Sequence, residues 1–447
     1  MTRFGRRFLP LVLIMIPPLM QLIYIQSFAV DVLFWDDWEL VLLLKTPPSL
    51  STMDYLWSQH NEHRILFPRL LLFGLARASD FNTIVPIYIG LLLAGLSAVG
   101  LWFVYKQTWS SSIWAFVPIS WFIFNLGQWE NILWGWQISV YLCVAASIWG
   151  LCLLVPDSIA FTVLAALLGL VASFSFSNGL LIWPIGFAYL ITARAELKRV
   201  ATWTAVGLAA VTFYLWHFTL EITQLPSPTT VLSEPARAIA FFLANIGAPL
   251  GMDRLEWSVV VGGVLLAFIV IAGANQLRQK GLAETKFLLA ATLVLFGLLS
   301  SVAVTLGRSG LGMESALLSR YRTVGLLGIT GIYLLLVRQL APRERGSGPA
   351  GRWSLIFFVV LAAIGISQST RHAILQGRAL RTLRIELQEI LLTFDWSFSS
   401  SLRFFRYQRP SRNTPTLSLP SPSQSPATGS PSAGNARKTY SGIESSF

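Results

Sequence analysis

About eleven apolar runs constrain the fold of this sequence more than any other feature. Crossing the roughly 30 Å hydrocarbon core of a bilayer takes about 20 apolar residues in a helix, which pairs its own backbone groups within the lipid. The chain is 54% hydrophobic and only 12% charged, which argues against a water-soluble globule of ordinary composition. We therefore predict an all-α polytopic integral membrane protein with about 11 transmembrane helices. Their approximate spans are 8–30, 82–104, 113–127, 138–155, 159–176, 179–192, 201–219, 257–275, 286–306, 323–338 and 353–368.

The first apolar run follows the basic start MTRFGRR. It is longer than the apolar part of a signal peptide and no small-residue cleavage site follows, so we expect it to remain as a membrane helix. Cys143 and Cys152 lie nine residues apart in one predicted span, too far along a helix to form a disulfide. They are interpreted as packing residues.

The basic residues of the short loops predict the orientation. The formal net charge of +12 would suggest nucleic acid as a partner of a soluble protein, but here it follows the positive-inside rule, and no nucleic acid is expected. An alternation of about 11 helices from a cytoplasmic N-terminus puts five basic groups on one side. They are Arg3, Arg6 and Arg7; Lys106; Arg194, Lys198 and Arg199; Arg278, Lys280 and Lys286; and Arg338, Arg343, Arg345 and Arg352.

The unusual polar segments then fall on the non-cytoplasmic side. They are the first outer loop (31–81), QWENILWGWQ (128–137), SFSNG (175–179), 220–256 and 307–322. We divide the chain into a transmembrane domain over 1–370, an amphipathic segment over 371–408 that is typical of a membrane-surface helix, and a Ser/Pro-rich tail over 409–447 that is predicted to be disordered. No nucleotide-binding fingerprint is present.

The segment WDDWE places Asp36 and Asp37 directly after the first apolar run. One interpretation makes Asp36 a helix N-cap with Glu39 as its capping-box partner. That role leaves a lone pair free for a metal or a hydroxyl group, and it leaves Asp37 unexplained. Two adjacent carboxylates converge only where the chain turns, as it does at the start of a helix.

The segment HNEHR contributes His60, Glu62, His63 and Arg64 as candidate substrate-binding residues. The two histidines are i, i+3 neighbours and are expected to share a helix face with Arg64. The spacing matches neither H-E-x-x-H nor H-x-x-E-H, so hydrogen bonds to a carboxylate or phosphate are favoured over zinc.

The segment QWENILWGWQ adds Glu130, Asn131 and Trp134. An ionisable side chain at membrane depth usually marks a site, although Glu130 at the water interface would cost little. Trp134 and Trp136 are expected to offer flat faces on which a sugar or isoprenoid stacks.

The last outer loop supplies Arg308, Arg320, Tyr321 and Arg322 as further candidate substrate-binding residues. Arginines outside run against the orientation bias. The guanidinium group binds phosphate with two parallel hydrogen bonds, which predicts a lipid-phosphate site. Anionic headgroups or pairing with Glu314 are the alternatives.

Taken together, these elements resemble the GT-C superfamily of polytopic glycosyltransferases in an uncharacterised bacterial branch. The resemblance rests on the acidic pair Asp36-Asp37 after the first membrane helix, on amphipathic helices at about 37–45 and 52–79, and on about 11 spans in this orientation. It covers most of residues 1–370. It departs from the oligosaccharyltransferases of that superfamily, since no WWDYG-type motif and no sizeable soluble domain follow the last span.

The resemblance implies an enzyme of the bacterial inner membrane that moves a hexosyl or pentosyl group from a polyprenyl-phosphate-linked donor to a glycan, lipid or protein acceptor on the non-cytoplasmic face. Asp36 or Asp37 would accept the acceptor proton or bind a divalent metal, Mg²⁺ or Mn²⁺. Arg64, Arg320 and Arg322 would stabilise the leaving phosphate. The alternatives are a transporter or lipid flippase, and a non-catalytic membrane assembly factor.

Overall fold

The computed structural model describes residues 3–44, 52–108, 112–219, 229–251, 253–279, 284–338 and 349–393. Within these ranges the chain is helical and has no β-strand. Its α-helices, numbered α1 to α17 in chain order, are Arg3–Phe28, Trp38–Leu44, Thr52–Trp57, Leu66–Ala78, Ile84–Thr108, Val117–Ile123, Trp129–Leu133, Ile138–Leu153, Ile159–Ser173, Ile182–Thr192, Leu197–Leu215, Thr229–Ser233, Pro235–Gly247, Leu255–Gln279, Thr285–Arg308, Arg322–Arg338 and Pro349–Thr393. Short 3-10 helices lie at Trp35–Asp37, Ile113–Phe116, Leu126–Gln128, Gly135–Gln137, Ser177–Leu181, Ser309–Leu311, Met313–Leu317 and Ser319–Tyr321.

Seven described helices are long and apolar enough to cross a membrane, namely α1, α5, α8, α14, α15, α16 and α17. Shorter apolar helices occur at α9, α10 and α13. The chain is therefore an all-α polytopic membrane protein. The first outer loop forms the short helices α2, α3 and α4, as its sequence predicts.

The predicted span 113–127 is not one helix. Its α-helical part, α6, has seven residues, or roughly 10 Å at 1.5 Å per residue. The segment nevertheless runs beside α16, because the Tyr333 hydroxyl donates to the Ala115 carbonyl at 2.9 Å and the Thr323 hydroxyl donates to Gln128 Oε1 at 2.6 Å. The prediction of a single helix over this span is wrong.

Local side-chain hydrogen bonds explain why this helix ends early. The backbone N–H of Gly127 donates to Asn125 Oδ1 at 2.6 Å, and Gln128 Nε2 donates to the carbonyl of Ile123 at 2.7 Å. Side chains thereby take over backbone groups that would otherwise continue the helix.

Close helix packing holds α15 against α16. A Cβ atom on Gly297 would lie 2.7 Å from the Cα of Gly328, so only glycine allows these two backbones to approach this closely. Residue 308 ends α15 and residue 322 begins α16, which places the loop between them at one end of the helix pair.

The last helix, α17, is 45 residues long, or roughly 67 Å. This is about twice the thickness of a 30 Å hydrocarbon core. The helical pattern predicted for residues 371–393 is therefore present as a continuation of the last membrane helix. Residues 394–447, which include the predicted tail, and Lys280, Arg343 and Arg345 lie outside the described residues. The chain forms a compact unit up to Ile385, and the candidate site lies within it.

Candidate functional site

The segments predicted to lie outside the membrane meet at one end of the helices. The acidic turn, Trp35–Asp37, contacts His60 through Asp36. Glu62 pairs with Arg308, and Glu130 contacts Ser319. Segments far apart in sequence thus form one polar region. Which side of the membrane this region faces stays a prediction.

Within the acidic turn, the capping carboxylate is Asp37. The backbone N–H of Phe34 donates to Asp37 Oδ2 at 3.1 Å. The turn begins two residues earlier than the sequence suggests, with Phe34 at the N-cap and Asp37 at the third position after it. Trp35, with a φ of 47°, is in the left-handed region that non-glycine residues seldom adopt. The prediction of an N-cap at Asp36 with Glu39 as partner is wrong.

The two carboxylates have unequal surroundings. The Asp36 side chain is 35% exposed, whereas Asp37 is 6% exposed. Burial raises the pKa of Asp37 to about 7, although the Phe34 N–H and the charge of Arg384 both lower it. Asp36 is therefore open to a substrate, and Asp37 is held inside.

His60 joins Asp36 to Glu39. Its Nδ1 lies 2.7 Å from Glu39 Oε1, and its Nε2 lies 3.6 Å from Asp36 Oδ2. Glu39 also accepts from Arg69 Nη2 at 3.2 Å and from the Tyr55 hydroxyl at 3.1 Å. These contacts hold the ring of His60 in one orientation.

The protonation of this cluster follows from its contacts. Burial disfavours the imidazolium form of His60, but contacts with Asp36 and Glu39 outweigh burial and raise its pKa to about 9. Burial of Glu39 is likewise outweighed by His60 and Arg69, which lower its pKa. Asp36, Glu39 and His60 each offer a ligand atom, and these atoms lie within 4.8 Å of one another.

The HNEHR segment, residues 60–64, is a tight turn instead of a helix face. His60 N–H donates to the His63 carbonyl at 2.8 Å, and His63 N–H donates back at 2.7 Å. Asn61, with a φ of 48°, allows the reversal. The two rings point into different surroundings, so the prediction that both share a face with Arg64 is wrong.

His63 lies on the other side of this turn from the carboxylates. Its ring stacks on Phe176 with 4.2 Å between ring centroids. The backbone N–H of Ser177 lies 3.4 Å from its Nδ1. Burial, followed by the charges of His60 and Arg308, lowers the pKa of His63 to about 3. His63 is therefore neutral, and its Nδ1 accepts a hydrogen bond.

Beside His63 lies a cavity of about 120 Å³, which we call the arginine cavity. Arg308 Nη2 lies 2.9 Å from Glu62 Oε1, and Arg320 Nε lies 3.8 Å from Glu130 Oε1. Among the described residues, Arg308 and Arg320 therefore meet Glu62 and Glu130, whereas the alternative drawn from the sequence was pairing with Glu314. The polar lining of the arginine cavity includes Glu62, His63, Asn178, Asn245, Arg308, Arg320 and Tyr321.

Glu130 and Asn131 hold the loop that carries Arg320. Glu130 is 6% exposed and accepts from the Ser319 hydroxyl at 3.0 Å and from the Arg320 N–H at 3.1 Å. Asn131 Nδ2 donates to the Arg320 carbonyl at 2.9 Å and to Thr323 Oγ1 at 2.7 Å. Neither side chain points into the cavity; both position its wall.

Trp134 and Trp136 do not offer the flat faces predicted for a sugar. Both are buried. Trp134 meets the rings of Phe34 and Trp35 edge-on, with 5.9 and 5.4 Å between centroids. Trp134 thus packs the acidic turn, whereas the Trp136 ring lies 5.4 Å from the ring of His60. Trp35 and Trp38 remain exposed instead.

Two of the arginines predicted to bind phosphate are buried and bonded to other parts of the protein. Arg64 is buried and donates to the carbonyls of Tyr214 at 2.6 Å and Trp57 at 2.8 Å. Arg322 is buried and pairs with Asp253. A buried guanidinium group must be paired, and these partners leave neither arginine in the arginine cavity. The assignment of Arg64 and Arg322 to a leaving phosphate stays a prediction, and neither residue lines the arginine cavity.

Sequence reasoning missed several residues of this region. Glu39, Arg69 and Tyr55 form the network around His60. Arg69 carried a signal, since an arginine within the apolar run ILFPRLLLF needs a buried partner. Asn178 and Arg384 carried no comparable signal.

Comparison with known proteins finds neither a matching protein-family model nor a matching curated protein. Among solved structures, the chain is similar to the archaeal oligosaccharyltransferase AglB from Archaeoglobus fulgidus in complex with an inhibitory peptide and a dolichol-phosphate, with 13% identity, a TM-score of 0.45, and coverage of 83% of this chain and 56% of that one. A second structure of the Archaeoglobus fulgidus oligosaccharyltransferase, tethered to an acceptor peptide, has 12% identity, a TM-score of 0.42, and coverage of 82% and 56%. The chain thus spans just over half the length of these structures. At these identities and TM-scores the likeness assigns no activity to it.

Proposed function

We propose that this protein is a membrane glycosyltransferase that moves a sugar from a polyprenyl-phosphate-linked donor to an acceptor hydroxyl on the non-cytoplasmic face. One observation carries the proposal: the HNEHR turn joins a partly exposed carboxylate, Asp36, to a cavity lined by two arginines. His60 contacts Asp36, and His63 lines the arginine cavity. Because these histidines are a hydrogen-bonded antiparallel pair, their Cα atoms are about 5.5 Å apart.

Asp36 suits the role of proton acceptor. In the proposed reaction the acceptor oxygen forms a bond to the anomeric carbon, and the bond from that carbon to the phosphate oxygen breaks. The proton of the acceptor hydroxyl passes to the Asp36 carboxylate. Asp37 does not suit this role, since it is buried and holds the Phe34 N–H.

Arg308 and Arg320 suit the leaving phosphate. Both side chains are partly exposed and line the arginine cavity. The Arg320 guanidinium group is held only loosely by Glu130, since its Nε lies 3.8 Å from Glu130 Oε1, beyond hydrogen-bond distance. A planar guanidinium group stabilises the charge that develops on a phosphate oxygen as the sugar leaves.

A divalent metal fits the carboxylate cluster, although the ligand set differs from the predicted pair Asp36 and Asp37. His60 would offer Nε2 beside Asp36 after releasing its proton to solvent, while Glu39 holds His60 Nδ1, an arrangement common around metal-bound histidines. Mg²⁺ prefers oxygen ligands, so the imidazole favours Mn²⁺ of the two. When bound, the ion would supply positive charge next to the acceptor or the phosphate.

The position of the polar groups favours a transferase over a transporter or flippase. Transporters place substrate sites near the midplane of the membrane, between related halves of the chain. Here the candidate site is formed by the loops at one end of the helices. The acceptor, which is a glycan, lipid or protein, and the identity of the sugar remain open in this proposal.

The proposal is tested with purified protein and synthetic polyprenyl-phosphate sugars, by mass-spectrometric detection of released polyprenyl phosphate. Arg308→Lys and Arg320→Lys are expected to lower donor use at least about tenfold, because an ammonium group cannot reproduce two parallel hydrogen bonds. Arg237→Lys is the matched control, since Arg237 is exposed and pairs with Glu234 outside the cavity. Donor use near that of wild type in both cavity variants would contradict the proposal.

A further inference from the structure

The outer part of the last helix packs directly against the acidic turn. The Tyr24 hydroxyl of α1 donates to the Ala373 carbonyl of α17 at 2.7 Å. A Cβ atom on Gly377 would lie 2.7 Å from the Tyr24 hydroxyl oxygen and 2.8 Å from a ring carbon of Phe28. The absence of a side chain at residue 377 therefore lets α17 lie against the end of α1, immediately before the turn that carries Asp36.

Two turns further along α17, the Arg384 side chain is buried at 3% exposure. Its Nη1 donates to the Leu133 carbonyl at 2.7 Å. Its guanidinium carbon lies 4.7 Å from the centroid of the Phe34 ring. One side chain thus contacts both the end of α7 and the residue that starts the acidic turn. Stacking on an aromatic face and bonding to a terminal helix carbonyl are both favourable for a guanidinium group.

Aromatic rings also hold the acidic turn in position. Trp35 is in a strained backbone conformation, which persists only where surrounding contacts enforce it. Those contacts include Phe34 stacked on Trp35 with 4.8 Å between centroids, and Trp134 edge-on to both. Arg384 lies on the Phe34 ring at the base of this stack.

Charge supports the same arrangement. Asp37 is buried, and a buried carboxylate needs a nearby cation. Arg384 and Asp37 are not within ion-pair distance in the described ranges, yet the positive charge of Arg384 lowers the pKa of Asp37. Removing the Arg384 charge would leave the Asp37 carboxylate without this nearby cation and loosen its hydrogen bond from the Phe34 N–H.

We propose that Arg384 is a positioning residue for the acidic turn, so that the C-terminal part of α17 completes the site by fixing Asp36 relative to His60. This inference rests on the proposed function for its catalytic consequence. The effect of Arg384 on the position of the acidic turn does not depend on that function. Sequence motifs do not reveal this role, because Arg384 is one of several arginines in an amphipathic helix.

The test combines a structural and a kinetic measurement on the full chain. Arg384→Gln is expected to speed hydrogen exchange of the amides at residues 34–37 at least about tenfold. It should also lower kcat about tenfold or more with little change in the KM for the donor, since the arginine cavity is untouched. Arg381→Gln is the matched control, because Arg381 is exposed one turn away on the same helix.

Each outcome decides the inference. Faster exchange with lowered kcat supports it, and faster exchange in a protein whose wild type transfers no sugar refutes the proposed function alone. Unchanged exchange, or faster exchange with wild-type kcat, overturns it. If Arg384→Gln fails to reach the membrane, Arg384→Lys is measured instead, because it keeps the charge while losing the planar stack on Phe34. That variant is expected to show intermediate exchange and intermediate kcat, and wild-type values in both would overturn the inference.

Discussion

Replacing Glu130 by Gln isolates a carboxylate that positions the arginine cavity without facing it. Glu130 accepts two hydrogen bonds on Oε2, from the Ser319 hydroxyl and the Arg320 N–H. A charged acceptor strengthens a hydrogen bond by about 1 kcal/mol relative to a neutral one. Loss of the charge therefore costs about 2 kcal/mol for the two bonds, and the weakened attraction to Arg320 Nε at 3.8 Å adds about 1 kcal/mol after screening.

If this loss of about 3 kcal/mol appears fully in the transition state, kcat/KM falls by about 100-fold, since 1.36 kcal/mol corresponds to a factor of ten. The assay is release of polyprenyl phosphate from a defined lipid-linked donor, with thermal unfolding measured in parallel. Glu314→Gln makes the same chemical change at an exposed residue of the same loop and should behave as wild type. A Glu130→Gln variant that transfers within twofold of wild type would refute the positioning role.

The remaining predictions concern a structural arginine and the metal. Arg64→Gln removes hydrogen bonds to the carbonyls of Tyr214 and Trp57, so we expect loss of about 3 kcal/mol of stability, a lower Tm, and an unchanged KM for the donor. A raised KM with unchanged Tm would instead assign Arg64 to the phosphate. For the metal, chelation should lower transfer and added Mn²⁺ should restore it. His60→Ala should weaken Mn²⁺ binding at least about tenfold by calorimetric titration, because the change removes the ligand that Glu39 holds. Transfer that withstands chelation, or equal Mn²⁺ affinity, would exclude the metal.

The architecture was predictable because it follows from composition. Apolar runs predict membrane helices by length alone, and most predicted spans coincide with a helix. The exception is 113–127, where Asn125 and Gln128 bond to nearby backbone. Such local competition depends on side-chain geometry, which periodicity does not report.

The sequence indicated which residues lie together in the candidate site better than it indicated what each of them contacts. Asp36, His60, Arg308 and Arg320 lie where the sequence suggests, at one end of the helices. The role of each arginine depends on contacts made across the fold, however. Arg64 meets residue 214, a separation of 150 residues along the chain, and no local pattern contains that information.

Arg384 is a second arginine whose contacts the local sequence does not indicate. Its pattern is that of an exposed amphipathic helix, with Arg378 and Arg381 exposed nearby. Burial of one arginine among several is decided by α7, about 250 residues earlier, and by Phe34 at the acidic turn, about 350 residues earlier. Sequence periodicity assigns these arginines the same role, and only the packing of α17 separates them.

The most direct test of the central claim compares wild type with Asp36→Asn, using a defined polyprenyl-phosphate sugar and measuring product formation. Asp36 is partly exposed and does not cap the turn, so the amide should fold and reach the membrane normally. Asp80→Asn is the matched control, since Asp80 is an exposed acid of the same loop with a φ of 50° that asparagine tolerates. The account predicts transfer by wild type and Asp80→Asn, and loss of at least about 100-fold in Asp36→Asn. Equal transfer by wild type and Asp36→Asn would contradict it.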